Sequence, residues 1–372
     1  MDSGRSTAQP EERPGHRSLA GTEVTVEPLP ESSDRNWTEP GIYEVSAGVY
    51  RIPLPLPNDA LRAVNVYAVT DGEKLVLVDS GWALTLARQQ LADALGGIGA
   101  ELADVSEFLV THVHRDHYSQ AVVLRREFGS KIALGQDEEP SLKVSGNPDR
   151  LPMEAQVDLL YQAGAGEVVE ALGRQFGTDL RHTEADLWEA PDEWLTPGRR
   201  PILPGREFDV VATPGHTTGH VVFVDDTADL LFSGDHVLPH ITPSIGFQPV
   251  PAELPLNDFI DSLRLVRAMP DRRMLPAHGP VSESVHTRVD ELLDHHRQRL
   301  ETMGSQIASG ASTAYEAAHR VGWTRRNRKL SEMDSFNQML AVLETAAHLD
   351  LLVSQGKLIT QTVDGVRHYS MP

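Results

Sequence analysis

The chain contains no cysteine in 372 residues. That excludes disulfides, iron–sulfur clusters, thiolate zinc sites and cysteine nucleophiles, so any metal must be held by histidine and carboxylate. Long apolar runs are also missing. The longest, such as Leu75-Val76-Leu77-Val78, are strand-sized, against the roughly 18 residues a membrane span needs. No membrane partner is expected. The opening residues, MDSGRSTAQPEERPGHRSLAG, lack the apolar stretch of a secretory signal, and the expected compartment is the cytoplasm. Positive charge is scarce: 33 Lys and Arg against 54 Asp and Glu give −21. Tight non-specific binding of nucleic acid needs basic surface, so the balance argues against it. The excess acid lies upstream of residue 285, because the last segment is nearly balanced. The Gly-x-Ser-x-Gly elbow of serine hydrolases is absent as well.

What remains is a chain with 40% hydrophobic residues, enough for a sizeable core. Residues 1–40 are rich in Pro, Ser, Glu and Arg, show no periodicity and read as a disordered tail. From 41 to 284 strands alternate with helices. Val64–Val69 and Lys74–Val78 are β-rich runs around Asp71-Gly72, a hairpin signal. Leu84–Leu95 has helical spacing, Phe108–Val110 reads as a strand and Ser119–Phe128 as a helix. Met153–Phe176 looks helical apart from a break at Gly164–Gly166, and about 140–200 reads as a helical insertion. Phe208–Ala212, Val221–Val224 and Leu230–Phe232 are strand candidates, and Leu256–Met269 a helix. In residues 285–372 the character changes. A connecting helix (Val285–Met303), two further helical stretches (Ala314–Val321, Asp334–Leu352) and two short strands around Asp364-Gly365 suggest a small winged-helix domain.

The strongest signal is Thr111-His112-Val113-His114-Arg115-Asp116-His117. In an extended segment residues two apart point the same way, so His112 and His114 can face one ion. As the chain turns into a helix, Asp116 and His117 can swing toward a second. Single ligand candidates follow three later strands: His216 in Thr213-Pro214-Gly215-His216, Asp235 in Ser233-Gly234-Asp235 and His278 in Pro276-Ala277-His278-Gly279. Each has glycine or proline beside it, as expected where a strand breaks into a tight loop that presents a side chain.

This set, HxHxDH, then TPGHTTGH, SGD and PAHG, resembles the metallo-β-lactamase superfamily, in particular its glyoxalase II-like members. The resemblance covers about residues 41–280. It implies an α+β fold, a four-layer αββα sandwich of two mixed sheets with helices on both outer faces. It implies that His112, His114 and His216 hold one metal and Asp116, His117 and His278 a second, with Asp235 bridging. Asp79, in Leu77-Val78-Asp79-Ser80-Gly81, matches an aspartate that supports the site without binding metal. Two zinc ions are the expected cofactor, and iron or manganese also suits these N and O donors. Zinc lowers the pKa of bound water from about 15.7 to about 7, giving hydroxide at neutral pH. Asp116 would orient that nucleophile. His220 reads as a structural hydrogen-bonding residue, and His240, near Asp235, as a candidate substrate contact.

The expected activity is hydrolysis of a small acyl substrate, a thioester, ester or lactone. The insertion, with its Leu, Val, Trp188 and Trp194, would either cover one end of the site as an apolar lid or pack on the domain. The alternative is a single-strand RNA endonuclease, since the C-terminal segment resembles the winged-helix extension of a superfamily branch that includes such enzymes. Arg325-Arg326-Asn327-Arg328-Lys329 would then touch phosphates. The absence of stacking aromatics beside it and the acidic chain favour reading the patch as a solvated loop on a domain that packs or forms a homodimer.

Overall fold

The computed structural model describes residues 37–57, 61–151, 153–176, 185–324 and 326–372. The N-terminal tail up to residue 36 and Arg325 lie outside these residues. Among the described residues, one sheet holds β1 (Tyr43–Ser46), β2 (Val49–Pro55), β3 (Ala63–Thr70), β4 (Leu75–Val78), β5 (Val105–Val110), β6 (Lys131–Gly135) and β7 (Glu193–Leu195), in that order. A second holds β8 (Gly198–Leu203), β9 (Arg206–Ala212), β10 (Val221–Asp225), β11 (Leu230–Gly234) and β12 (Arg273–Pro276), each beside its neighbour in sequence. Both sheets are mixed: β4, β5, β6 and β7 run parallel, as do β11 and β12, while the other pairings are antiparallel.

The alternation of side chains along each strand explains the layering. In β4, Val76 and Val78 face the second sheet, where they meet Phe208, Phe223 and Phe232. Leu75 and Leu77 face the other way, into a core shared with α1 (Thr85–Gly96) and α2 (Arg115–Phe128). In β10, Val221 and Phe223 join the inter-sheet core, while Val222 and Val224 meet α6 (Pro255–Ala268) and the first half of α7 (Val285–Ala308). The order is helices, sheet, sheet, helices.

The stretch expected as a helical insertion, between β6 and β7, contains α3 (Glu139–Ser145), α4 (Glu154–Gln162) and α5 (Gly166–Phe176). Its outcome differs from a lid. Trp188 and Trp194 pack against the core of the first sheet, Trp188 stacking on Tyr118 with ring centroids 6.4 Å apart. The apolar faces of α4 and α5 (Leu160, Ala163, Val168, Leu172) instead join the core of the C-terminal helices. That core is built from α7, α8 (Ala314–His319) and α9 (Ser335–Ser354), and Tyr369 of the terminal hairpin closes it. The hairpin pairs β13 (Ile359–Val363) with β14 (Val366–Ser370). Asp364 and Gly365 both take positive φ, 49° and 83°, as a two-residue turn that matches strand twist requires. No helix among the described residues is long and apolar enough to cross a membrane.

Candidate metal centre

The site lies where strands end. β4 ends at Val78 before Asp79, β5 at Val110 before Thr111, β9 at Ala212, β11 at Gly234 and β12 at Pro276. Helix α2 begins at Arg115, inside the motif and four residues earlier than its apolar spacing suggests. The polar Arg115 and Asp116 hide its first turn from a periodicity reading. His114, extended at φ −64° and ψ 150°, is its N-cap residue. The change from extended chain to helix at this point turns Asp116 and His117 away from the direction of His112 and His114. Gly215 permits the next loop to pass close to α6: a Cβ there would lie 2.4 Å from the Phe259 Cα.

The structure brings all seven candidate ligands together in two groups that could each hold a metal ion: His112, His114, His216 and Asp235; and Asp116, His117 and His278. In the first, His114 Nδ1 lies 3.0 Å from His112 Nε2 and 3.1 Å from His216 Nε2. In the second, His278 Nε2 lies 3.5 Å from Asp116 Oδ2, and His117 Nε2 3.7 Å from the same oxygen. Asp235 stands between. Its Oδ2 is 3.5 Å from His216 Nε2, and its Oδ1 is 3.3 Å from His278 Nε2 and 3.7 Å from His117 Nε2. His117 Nε2, His278 Nε2 and Asp235 Oδ1 are buried and have no hydrogen-bond partner among the described residues. Burying such groups unpaired is costly, and a cation among them would satisfy all three.

Each of the five histidines commits its other nitrogen to an oxygen. His112 Nδ1 is 3.1 Å from Thr111 Oγ1, whose own hydroxyl donates to Asp79. His114 Nε2 donates to the Phe247 carbonyl at 3.1 Å, and His216 Nδ1 to the Ser244 carbonyl at 2.8 Å. His117 Nδ1 donates to Asp79 Oδ2 at 2.9 Å, and His278 Nδ1 to the Ala63 carbonyl at 2.7 Å. A neutral imidazole whose outer N–H is engaged presents a lone pair inward, the arrangement metal ligands use, and at His117 a cation would take the place of the inner proton. Asp79 supports without joining either group. It sits at φ 61°, a left-handed conformation uncommon for a residue other than glycine, and also accepts the Thr111 N–H at 2.8 Å.

The two groups differ electrostatically. Burial, reinforced by neighbouring imidazoles, lowers the pKa of His112 and His216, and takes His114 down to about 3. Burial also acts to lower His117, but Asp79, Asp116 and Asp235 raise it to about 10. Burial acts to raise Asp235, yet His278, His117, His216 and His114 hold its carboxyl below the usual range. The carboxylates therefore favour a positive charge at the second group, and the first group favours neutral imidazoles.

His220 accepts the Asp235 N–H at Nε2, 3.1 Å away, and its Nδ1 is 2.8 Å from Thr213 Oγ1. It ties the loop of His216 to that of Asp235. His240 belongs to neither ligand group. It is half-buried in a loop whose Leu238 and Ile241 carbonyls accept from Arg288. Sequence reasoning missed Asn65 and Glu138. Asn65, buried in β3, donates from Nδ2 to the Pro276 and Gly279 carbonyls at 2.9 and 2.8 Å, clamping the loop of His278. Glu138 is fully buried beneath two ligand loops, accepting from Thr217 Oγ1 and from the Val113 N–H. A Cβ on Gly219 would lie 2.2 Å from the Glu138 nitrogen, so these segments touch backbone to backbone. Neither residue stands in a ligand-like motif. The only signal was an uncommon polar residue within an apolar strand, Asn65.

The family model of the metallo-beta-lactamase superfamily matches residues 59–278. A probable metallo-hydrolase of Bacillus subtilis, YqjP, is 24% identical over 82% of this chain and 91% of its own length. The lactamase-like protein nscB of Neosartorya fischeri is 24% identical over 76% of this chain, which spans 66% of that relative's length, just under two thirds. An atrochrysone carboxyl ACP thioesterase of Aspergillus fumigatus is 24% identical over 63% of this chain and 42% of its own length. Among solved structures, a metallo-beta-lactamase family protein of Thermus thermophilus superposes with a TM-score of 0.72 at 25% identity, covering 88% of this chain and all of that one. With the family matched over most of the chain and its ligand groups assembled at the strand ends, this protein belongs to the metallo-beta-lactamase superfamily and is a metal-binding hydrolase of that superfamily.

Proposed function

We propose that the chain is a two-metal hydrolase acting on a small acyl substrate, a thioester, ester or lactone. The observation that carries the two-metal reading is Asp235, whose two oxygens face different groups of inward nitrogens. In this reading His112, His114 and His216 hold one ion, Asp116, His117 and His278 the other, and Asp235 both. The donors suit zinc, and the wholly N and O set also suits iron or manganese. Such ions supply Lewis acidity and bring the ionisation of water toward neutrality.

The rest of the task falls to the chain. Asp116, partly exposed in the first turn of α2, would accept a proton from water and return it to the leaving group. Asp79 fixes His117 and, through Thr111, His112. His220 holds the Asp235 backbone. The acyl class is supported by the fungal thioesterase among the relatives and by the glyoxalase II-like motif set. The order of α7, α8, α9 and the β13–β14 hairpin supports reading residues 285–372 as a connecting helix and a winged-helix-like unit.

The test is a paired turnover assay on zinc-loaded protein. One arm offers acyl thioesters and lactones, the other single-stranded RNA, with Asp235→Ala as control. Acyl turnover that disappears in the control is the expected result. RNA cleavage with the same dependence, and no acyl turnover, would replace this reading with the nuclease one.

A further inference from the structure

The segment 241–250 contains no helix or strand, so no ladder of backbone bonds fixes its shape. Yet two of its carbonyls, Ser244 and Phe247, are the acceptors that set the ring orientations of His216 and His114. Something else must hold it. Gln248, 1% exposed, accepts at Oε1 from the Thr218 N–H and hydroxyl, both at 2.9 Å. Gln156 of α4, 4% exposed, donates from Nε2 to the Gln248 carbonyl at 2.7 Å. Arg150 donates to the Pro249 carbonyl at 2.8 Å. From the other side, Phe336 of α9 meets the Phe247 ring edge-on with centroids 5.5 Å apart. A Cβ on Gly246 would lie 3.5 Å from the Leu343 Cβ.

We propose that Gln248 and Gln156 are positioning residues for the first ion, and that the helical insertion and α9 act as a brace that aims His114 and His216. The inference rests on the metal-binding reading above. An imidazole hydrogen-bonded to a carbonyl follows that carbonyl when it moves. The carbonyls of Ser244 and Phe247 move if Gln248 loses Thr218 or Gln156. The second group is outside this chain of contacts, because His117 leans on Asp79 and His278 on Ala63 of β3.

The experiment is a cobalt(II) titration of the metal-free full-length protein, followed by its visible absorption. His114→Ala and His278→Ala serve as references that each lack one ion. Gln248→Met and Gln156→Met keep side-chain volume but remove the bonds. Each is expected to weaken the first ion by about tenfold, the lower end of what outer ligand partners cost. Each is also expected to shift that ion's bands and leave the second ion's affinity and bands as in wild type. Gln248→Glu, which keeps an acceptor oxygen, is expected to restore the first ion's bands, as a packing role alone would not. If Gln248→Met does not fold, Gln156→Met decides alone. Variants that titrate as wild type, or that loosen both ions equally, overturn the brace while the metal reading stands. Wild type that takes up no cobalt overturns both.

Discussion

The two ligand groups sit within one site but lean on different parts of the molecule. The second is anchored to the sheet. Asp79, at the end of β4, holds His117, while Ala63 and Asn65 of β3 hold His278 and its loop. The first depends on an irregular segment for two of its three histidines, and that segment is kept in place by helices from a different core. A sheet position is fixed by a ladder of bonds, so the residues that support the second group are themselves held by the sheet. A loop position is fixed by a handful of side chains, and each one counts. The difference teaches that closeness of ligands in space does not imply a shared mechanical origin, and that the first group is the adjustable one.

The largest effect that would break this comparison comes from Asp235, which belongs to both sides. Asp235→Ala is expected to lower metal content toward zero and activity by orders of magnitude, with the fold retained by circular dichroism. His114→Ala and His278→Ala should each cost one ion. Wild-type turnover and metal content in Asp235→Ala would show that the two groups are not one centre. A smaller effect sharpens the sheet side. Asn65→Leu removes two donors from the His278 loop and is expected to weaken the second ion by about 10- to 100-fold, with the first unchanged in a competition titration. Loss of the first ion instead would reverse the assignment of supports.

The smallest effect on turnover concerns Glu138, which braces the first group from below. Its carboxyl, near 4.5 when unfolded, is pushed up to about 7 by burial. The folded state therefore holds a proton that the unfolded state gives up. The stability this contributes is fully present below pH 4.5 and is lost as pH rises through 7. Glu138→Gln keeps an acceptor for Thr217 and is expected to flatten that decline. The gain over wild type at pH 8, read from denaturant unfolding, is about 3 kcal/mol. An unchanged slope between pH 5 and 8 would mean that Glu138 is ionised in the fold.

The candidate ligands were legible because metal chemistry admits few residue types, four of them cluster within residues 112–117, and the three outlying ones each stand beside glycine at a strand end. His216 and His278 could be picked out far from the first motif because, with Asp235, they follow it in this order at successive strand ends. Their supports were not legible. Three of the five outer nitrogens go to backbone carbonyls, of Ala63, Ser244 and Phe247, and a carbonyl leaves no trace in residue type. The helices α4 and α5 could be read from their spacing, but not what they would pack on. Their apolar faces fit any apolar partner, and the partner lies more than a hundred residues downstream.

That last arrangement has a consequence for how the protein is made. Helices α4 and α5 leave the ribosome early, and α9, their main partner, ends at Ser354, about 180 residues later. At roughly 5–20 residues per second, they wait about 10–35 seconds before they can be covered. Through that interval the nascent chain carries every ligand by residue 278, yet the segment that aims two of them is not held from above. The sheet side can mature before α9 is made, whereas the loop side is finished only once α9 has emerged.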